Sequence, residues 1–580
     1  MAIALGSHAN APISAGHTQH WEEAGTMLER AITTYLHSSQ TFERTTPTLI
    51  TNAPNLHERL DQQIEHVHVS MMQLLTESFA SVARARNRLV PPINRIPTEI
   101  LGQIFQLALS SAGNNQPMGS AIEATYRSLY NILGVCSIWK KVGLAHKPLW
   151  ALVPIIDQRK PTRFRTEKAV NISLERTGES ELHLAADILA VDLRQRASVL
   201  NRLAELRSRL RSINLRASSR GVIEHILGPL IQGLSPGSLK ELSLNMHPPI
   251  SSSPMTHEDE SCFQGSQPTF WASFEQLLSS LRVLRLRRVV PRMANISFSN
   301  LVELRIQAFA FRDDTALREL LWSVATASQL RKLELITITI YNVQNVPTPP
   351  EYKIPFPLPN LQMLFLEDLR EHVLQTVFFA IKSGAHRTVL SLSHLYKLAP
   401  DVFDLNPAIK SQTIDTLVLR GFRSWDTPDW ITLISSVFNV IPAPRAICLD
   451  RVHLDRESLV GLTRRLDLSD SPTSFPNFHR IYISRSTIDY IGDLAAFISM
   501  LASHPLEEVV LGGHFNMAFS GSLEPYYSGS DDGERWQVEI ARPDERTIPI
   551  KTWLQENVAK CTFIGSTEQV GFLSTEWKLW

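Results

Sequence analysis

Residues 301–306 read Leu-Val-Glu-Leu-Arg-Ile, and residues 281–286 read Leu-Arg-Val-Leu-Arg-Leu. In each, apolar side chains fill the first, fourth and sixth positions, and an arginine separates the last two. Alternation with a period of two is typical of a β-strand with one buried face. The spacing recurs at Leu210/Ile213/Leu215, Leu239/Leu242/Leu244, Leu330/Leu333/Leu335, Leu361/Leu364/Leu366, Ile414/Leu417/Leu419, Phe478/Ile481/Ile483 and Leu506/Val509/Leu511.

These copies form an array with one period. Two degenerate copies, Leu390/Leu392 and Ile447/Leu449, fill gaps, so ten steps lead from Leu210 to Leu506. The mean period is about 30 residues, just above the range of leucine-rich repeats. Helical patterns separate the copies, at residues 315–327, 371–381, 429–440 and 489–501. Each unit is therefore predicted to be a strand followed by a helix, and stacked units predict an α/β solenoid with parallel strands.

The array is predicted to span residues 165–580, with its first strand at 172–174. A conventional α/β domain is the alternative, but the regular period favours the solenoid. Residues 248–270 and 520–536 interrupt the rhythm with Ser, Pro, Gly and Asp, and are predicted to be loops.

A second informative window covers residues 93–150. Pro97 suits the first position of a helix, and Glu99 places a carboxylate in its first turn. One apolar stripe follows at helical spacing, a second run leads from Ile132 to Gly143, and Leu149 and Trp150 come after the helix-breaking Pro148. Three short helices are predicted, with residues 110–127 as a polar surface loop. Spacing alone favours an ordinary helical subdomain packed on its neighbour.

The order of residues in this window resembles an F-box, which reads Leu-Pro-x-Glu-Ile-Leu, then Val-Cys-x-x-Trp and a final Leu-Trp. Here Ile96 stands for the first Leu. Combined with the repeats, the chain is similar to F-box-like proteins with C-terminal leucine-rich repeats, abundant in mushroom-forming fungi. The resemblance implies a three-helix F-box over residues 91–152 that docks a Skp-family adaptor and, through it, a cullin. The residues that it implies form or support that surface are Ile96, Pro97, Ile100, Leu101, Ile104, Phe105, Val135, Cys136, Trp139 and Trp150.

Before this window, residues 1–20 are small and polar and are predicted to be disordered, and residues 21–90 are predicted to be helical. The apolar residues from Leu60 to Leu74 follow each other by steps of four and three. This pattern predicts an amphipathic helix that lies against the next domain. A dimerisation helix is the alternative.

Composition excludes several classes of protein. Lys plus Arg and Asp plus Glu both number 57, so no net charge favours nucleic acid or an anionic membrane. The 4 cysteines are far apart and lack metal-ligand spacing, which predicts no metal site and a reducing compartment. Without a secretory signal or a long apolar run, the sequence predicts a soluble protein of the cytoplasm, the nucleus or both.

The residues between the repeat leucines should face the concave side of a solenoid. They include Arg285, Arg287 and Arg305, and further along Phe365. Arg285 and Arg305 should lie on adjacent strands, and unpaired like charges there would favour an acidic or phosphorylated protein partner. The alternative is that Glu303, Glu334 and Glu367 neutralise the arginines and nothing binds.

The sequence contains no phosphate-binding Gly-rich loop, no Gly-x-Ser-x-Gly elbow and no His-Glu-x-x-His zinc motif. A non-catalytic protein with no cofactor is therefore predicted. Three hypotheses remain: a substrate receptor of a cullin-based ubiquitin ligase, a leucine-rich interaction scaffold outside any ligase, and an enzyme of unrecognised type.

Overall fold

The structure is a computed structural model. The chain forms two compact units, and the boundary between them lies between Ile96 and Pro97. The residues that the structure describes are 15–49, 55–89, 93, 96–112, 116–156, 166–188, 197–247, 268–289, 296–342, 355–382, 384–393, 413–421, 437–438, 441, 444–463, 476–489, 494–517, 536–540, 548–573, 577 and 579.

The N-terminal unit is helical. It contains α1 (Ala15–Leu49), α2 (Leu56–Gln63) and α3 (Val69–Leu89), with a π-helical turn between the last two (Ile64–His68). Because the π turn inserts a wider step, the predicted four-three seam from Leu60 to Leu74 does not stay on one face, and both of those leucines are exposed. The prediction of disorder over residues 1–20 is wrong for 15–20, which are helical, and otherwise lies outside the described residues.

The second unit begins with a small helical module of α4 (Thr98–Ala112), α5 (Met118–Val135), α6 (Ser137–Ala145) and a 3-10 turn (Lys147–Trp150). The start of α4 confirms the prediction from Pro97 and Glu99. The predicted loop over 110–127 is wrong, because α5 begins at Met118. The buried residues of α5 lie at helical spacing among polar ones. They are Met118, Ala121, Ile122, Tyr126 and Leu129.

The helical run predicted from Ile132 to Gly143 is also interrupted. Cys136 is extended, with φ −161° and ψ 170°, and it separates α5 from α6. Its Sγ accepts a hydrogen bond from the backbone N–H of Trp139 at 3.5 Å, which caps the start of α6.

The rest of the unit is built on a single sheet. Its described strands are β1 (Leu152–Ile156), β2 (Leu182–Ile188), β3 (Leu210–Ala217), β4 (Glu241–Met246), β5 (Val283–Arg287), β6 (Glu303–Asp313), β7 (Lys332–Asn342), β8 (Met363–Glu367), β9 (Arg387–Ser393), β10 (Thr416–Arg420), β11 (Ala446–Asp450), β12 (His453–Leu454), β13 (Arg480–Asp489), β14 (Glu508–Met517), β15 (Trp536–Glu539) and β16 (Lys560–Phe563).

The strands follow one another in chain order from β1 to β11, then β13 and β14. The short β12 pairs with β13, and both β15 and β16 pair with β14. Every described pairing is parallel except that of β15, which runs antiparallel to β14. Sequential parallel strands require a crossover between each pair. The prediction of an α/β, solenoid-like fold with parallel strands is confirmed.

Described helices lie in many of these connections. They are α7 (Thr166–Thr177), α8 (Ala197–Glu205), α9 (Arg220–Ile231), α10 (Pro268–Ser280), α11 (Asp314–Ala325), α12 (Glu371–Ala380), α13 (Arg456–Leu462), α14 (Leu494–Ala502) and α15 (Ile548–Asn557). Their buried side chains share one hydrophobic core with the repeat leucines. We call this the helix side of the sheet and the opposite side the inner face.

Helices predicted at 315–327 and 371–381 are confirmed as α11 and α12. The one predicted at 489–501 begins later, at Leu494, and the one at 429–440 lies mostly outside the described residues. The strand predicted at 172–174 is wrong: these residues belong to α7, where Val170, Ser173, Leu174 and Thr177 are buried at helical spacing. The sheet instead starts at β1, ahead of residue 165. The predicted loops at 248–270 and 520–536 lie largely outside the described residues.

A left-handed backbone position recurs at the same register in successive strands, directly after β5 and β8 and within β6 and β7. Arg287, Gln307, Ile336 and Glu367 are register partners, and the residue after each has positive φ. Gly421, Arg451 and Arg485 repeat this in later strands. The non-glycine members are Arg288, Ala308, Thr337, Asp368, Arg451 and Arg485, with φ between 50° and 57°. The repeat therefore appears in the backbone dihedral angles as well as in the spacing of the leucines. No described helix combines the length and the apolar character needed to cross a membrane.

Candidate protein-interaction sites

The α4 helix has two apolar faces. Leu101, Phe105 and Leu109 are buried in the module's own core. By contrast, Ile100 is 46% exposed, Ile104 40% and Leu107 70%. At 100° per residue the two sets point about 130° apart around the helix. We call Ile100, Ile104 and Leu107 the α4 outer face. The apolar stripe predicted for this helix is therefore divided into a buried part and an exposed part.

Close packing on the buried side fixes the orientation of α4. The rings of Phe105 and Trp139 lie 4.8 Å apart between centroids. Gly102 allows His146 to approach so closely that a Cβ at residue 102 would sit 2.5 Å from the imidazole Nδ1. Trp150 is buried, and its indole N–H donates to the carbonyl of Gly143 at 2.9 Å. The outer face is thus presented by a helix with little freedom to turn.

The module is also tied to the sheet. The Tyr126 hydroxyl of α5 donates to the carbonyl of Leu152, the first residue of β1, at 2.7 Å. The hydroxyl of Ser173 in α7 lies 2.7 Å from the hydroxyl oxygen of Tyr126. Burial raises the pKa of Tyr126 well above its ordinary value, so the phenol remains a donor. Module and sheet therefore share one hydrogen-bonded junction.

The ten residues expected at the adaptor surface divide by exposure. Leu101, Phe105 and Trp150 are buried supports, whereas Cys136 and Trp139 are half-buried. Pro97, Ile100, Ile104 and Val135 are exposed, Val135 by 57%. Ile96 is half-buried and belongs to the N-terminal unit. The sequence interpretation missed Leu107, although its spacing of three from Ile104 places it on the same face.

Charged residues on the inner face of β5 to β8 are arranged in pairs. Arg285 and Arg305 are register partners on adjacent strands, as expected. Arg285 donates to Glu303 at 2.7 Å, and Arg305 lies 3.8 Å from Glu334. Burial acts to raise the pKa of Glu303, but the hydrogen bond from Arg285 and the charges of Arg285, Lys332 and Arg305 together lower it. The expectation that these two arginines are unpaired is therefore wrong.

Arg287 differs from its neighbours. Among the described residues it has no carboxylate within ion-pair distance, and it is half-buried. Burial lowers the pKa of Arg287, and the nearby charges of Arg288, Arg305 and Arg216 lower it further. Binding of an acidic target at Arg287 stays a prediction.

Further along, the inner face becomes apolar and is covered. Phe365 is only 1% exposed, so the expectation that it faces solvent is wrong. The cover is the segment after β16, described at residues 564–573, 577 and 579, which we call the C-terminal segment. Its Val570 and Leu573 are buried against one contiguous cluster. The inner-face members are Ile336, Phe365, Val389, Val418, Ala446, Cys448, Tyr482 and Val510.

Polar and aromatic contacts position the C-terminal segment. The Arg420 guanidinium donates to the carbonyl of Leu573 at 3.2 Å. The Phe572 ring meets Tyr482 edge-on, 5.4 Å between centroids, and lies 5.0 Å from the guanidinium of Arg387.

A second anchor lies at β3. The Trp577 indole N–H donates to the Asn214 side-chain oxygen at 2.9 Å, and the Asn214 amide donates to the carbonyl of Leu579. Nothing in the repeat pattern of the sequence could place a segment this far from β3 on that strand.

Ion pairs line the inner face beside this segment. Arg420 pairs with Glu367 at 2.6 Å and with Asp450 at 2.9 Å, and Arg485 also binds Asp450. Burial raises the pKa of Glu367 to about 7, in spite of Arg420. For Asp450, burial acts to raise the pKa, but the hydrogen bonds from Arg485 and Ser484 and the charges of Arg485 and Arg420 together lower it. The row alternates in sign, which supports a fixed surface more than a catalytic one.

Within the described ranges, no group of three or more His, Cys, Asp or Glu side chains is placed to hold a metal ion. Compared with protein-family models and with curated proteins, the chain matches none.

Proposed function

We propose that the protein is the substrate-receiving subunit of an SCF-type ubiquitin ligase. In this role the helical module binds a Skp-family adaptor, which carries a cullin, and the sheet receives a protein target. The observation that carries the proposal is the α4 outer face, an exposed apolar face on a helix whose other apolar face already fills a core.

The energetics favour an intermolecular role for that face. Burying one large aliphatic side chain contributes about 1.5–3 kcal/mol. The buried stripe of α4 has already gained this stabilisation, whereas Ile100, Ile104 and Leu107 have not. Apolar anchors grouped on one rigid element are typical of the centre of a protein interface. The residue order around Pro97 resembles that of an F-box, and this makes the Skp-family adaptor the preferred partner.

Affinity for a purified Skp-family adaptor tests the proposal. The wild-type chain should bind the adaptor, and Ile104→Asp should not. A carboxylate buried in the interface must take up a proton at pH 7, which costs about 4 kcal/mol and weakens binding by up to about 1000-fold.

Gln106→Asp is the matched control, since Gln106 is exposed on the same helix but points away from the outer face. It should bind like the wild type. Equal binding by Ile104→Asp and Gln106→Asp would contradict the docking surface. A wild-type chain that does not bind the adaptor at all would favour an interaction scaffold outside any ligase.

A further inference from the structure

We propose that the apolar half of the inner face is a binding groove for a short apolar segment of a target protein. The C-terminal segment of the chain occupies this groove in the resting state, and a target displaces it. The inference rests on the proposed function only in regarding the displacing partner as a ligase target.

The groove is apolar in a way that the fold does not require. The repeat leucines on the helix side already supply a continuous core. Phe365 and Val389 on adjacent strands, and Val418 and Cys448 on the next two, add a second apolar surface on the inner face. All four are fully buried, with Val570 and Leu573 in the same cluster. In the described part of the chain a short segment covers this contiguous apolar surface, and a surface of this kind, once uncovered, is typical of a binding site.

The covering segment is not part of the sheet. Its first residue, Ile564, donates the last described ladder bond, from its N–H to the carbonyl of Leu511. Beyond that point its described backbone bonds are local turns, such as Leu573 N–H to Val570. Its attachments to the inner face are side chains, the Arg420 contact with the Leu573 carbonyl, and the Asn214 anchor. The segment can therefore leave without breaking any described strand pairing.

The contacts define the chemistry of the partner. Leu573 fills the apolar cluster, and Phe572 is held between Tyr482 and the Arg387 guanidinium. Four residues further on, Trp577 reaches Asn214. A partner that uses the same contacts needs an aromatic–aliphatic pair, followed at this spacing by a second aromatic residue with an N–H donor. Arg420 and Asn214 then donate hydrogen bonds to main-chain carbonyls of the partner, and these bonds do not depend on the partner's other side chains.

Because the chain's own segment occupies the groove, a target must bind tightly enough to displace it. A tethered segment acts at an effective concentration of about millimolar, so a free peptide of equal contact quality competes poorly. Weakening the resident segment should therefore increase the apparent affinity for a peptide added in trans.

The test uses the full chain without any adaptor and a fluorescent synthetic peptide of residues 565–580. Fluorescence anisotropy should show at least about tenfold tighter binding of the peptide to Leu573→Asp than to the wild type. Phe379→Asp is the matched control, since Phe379 is exposed on α12 and should leave the wild-type affinity unchanged. A peptide that carries Leu573→Asp itself should not bind to any of the three proteins.

If Leu573→Asp unfolds the chain, Phe572→Ala replaces it, because that side chain is only half-buried. Equal peptide affinity in the wild type and the weakened variant, or no binding to a folded weakened variant, would overturn the proposal. Because no adaptor is present, a failure here is distinct from a failure of docking at α4.

Discussion

Individual residues carry the repeat in a form that side-chain patterns conceal. The left-handed positions that recur along the sheet are occupied by Arg, Ala, Thr, Asp and Gly, so no sequence motif marks them. For a residue with a Cβ this conformation costs about 1–2 kcal/mol. Thr337 is the most unfavourable case, because its side chain is β-branched and its φ is 53°.

We expect Thr337→Gly to raise the free energy of unfolding by about 1 kcal/mol, because glycine adopts positive φ without strain. Urea unfolding measures the change. Thr339→Gly on the same strand is the control, where glycine should lower stability by about 0.5–1 kcal/mol. A loss of stability in both variants would contradict the assignment of strain to residue 337.

The carboxyl group of Glu367 makes a prediction about pH. Burial raises its pKa from an ordinary 4.5 to about 7. Between these values the folded chain keeps a proton that the unfolded chain has lost. The stabilisation of the folded chain that comes from protonated Glu367 is therefore fully present below pH 4.5 and is lost as the pH rises to 7.

Unfolding free energies of the wild type and Glu367→Gln, measured at pH 5 and pH 7.5, test this. The stability of the wild type relative to the variant should fall as the pH rises. A relative rise would mean that the ion pair with Arg420, 2.6 Å away, dominates over burial.

At the scale of elements, the strands were predictable because their period of two is enforced by one buried face. Helix α5 was not, because composition outweighed spacing in the interpretation of residues 110–127. Its start at Met118 follows a Pro-containing polar stretch that favours a loop. The break at Cys136 was missed because a residue that separates two helices can still fall at helical spacing by chance.

The two faces of α4 should respond oppositely to truncation. Leu101→Ala should destabilise the chain by about 2–5 kcal/mol, because it leaves a cavity at a fully buried site. Ile104→Ala should change stability by less than about 1 kcal/mol and yet weaken adaptor binding. Thermal unfolding and titration of the adaptor measure the two quantities. Comparable losses of stability would contradict the division of α4 into a core face and an outer face.

For the whole molecule, local patterns predicted the parallel architecture, since each strand and helix carries its own periodicity. They could not predict what lies on the inner face. The anchor between Asn214 and Trp577 joins residues 363 positions apart, and no periodicity encodes such a contact. The sequence indicates the pairing of Arg285 with Glu303 only as one alternative, because strand register identifies neighbouring residues but not the geometry of their side chains.

The molecule therefore separates two surfaces: an exposed apolar face at one end of the second unit and an inner face held by its own C-terminal segment. The proposal assigns the first to an adaptor and the second to a target. In this view adaptor docking and target capture use different residues of one hydrogen-bonded unit.

Hydrogen–deuterium exchange of the full chain, with and without a saturating Skp-family adaptor, tests docking at α4. We expect the adaptor to slow exchange in α4, residues 98–108, while the described strands β5 to β10 keep their rates. Binding that leaves the exchange of α4 unchanged, or protection confined to the sheet, would contradict docking at α4.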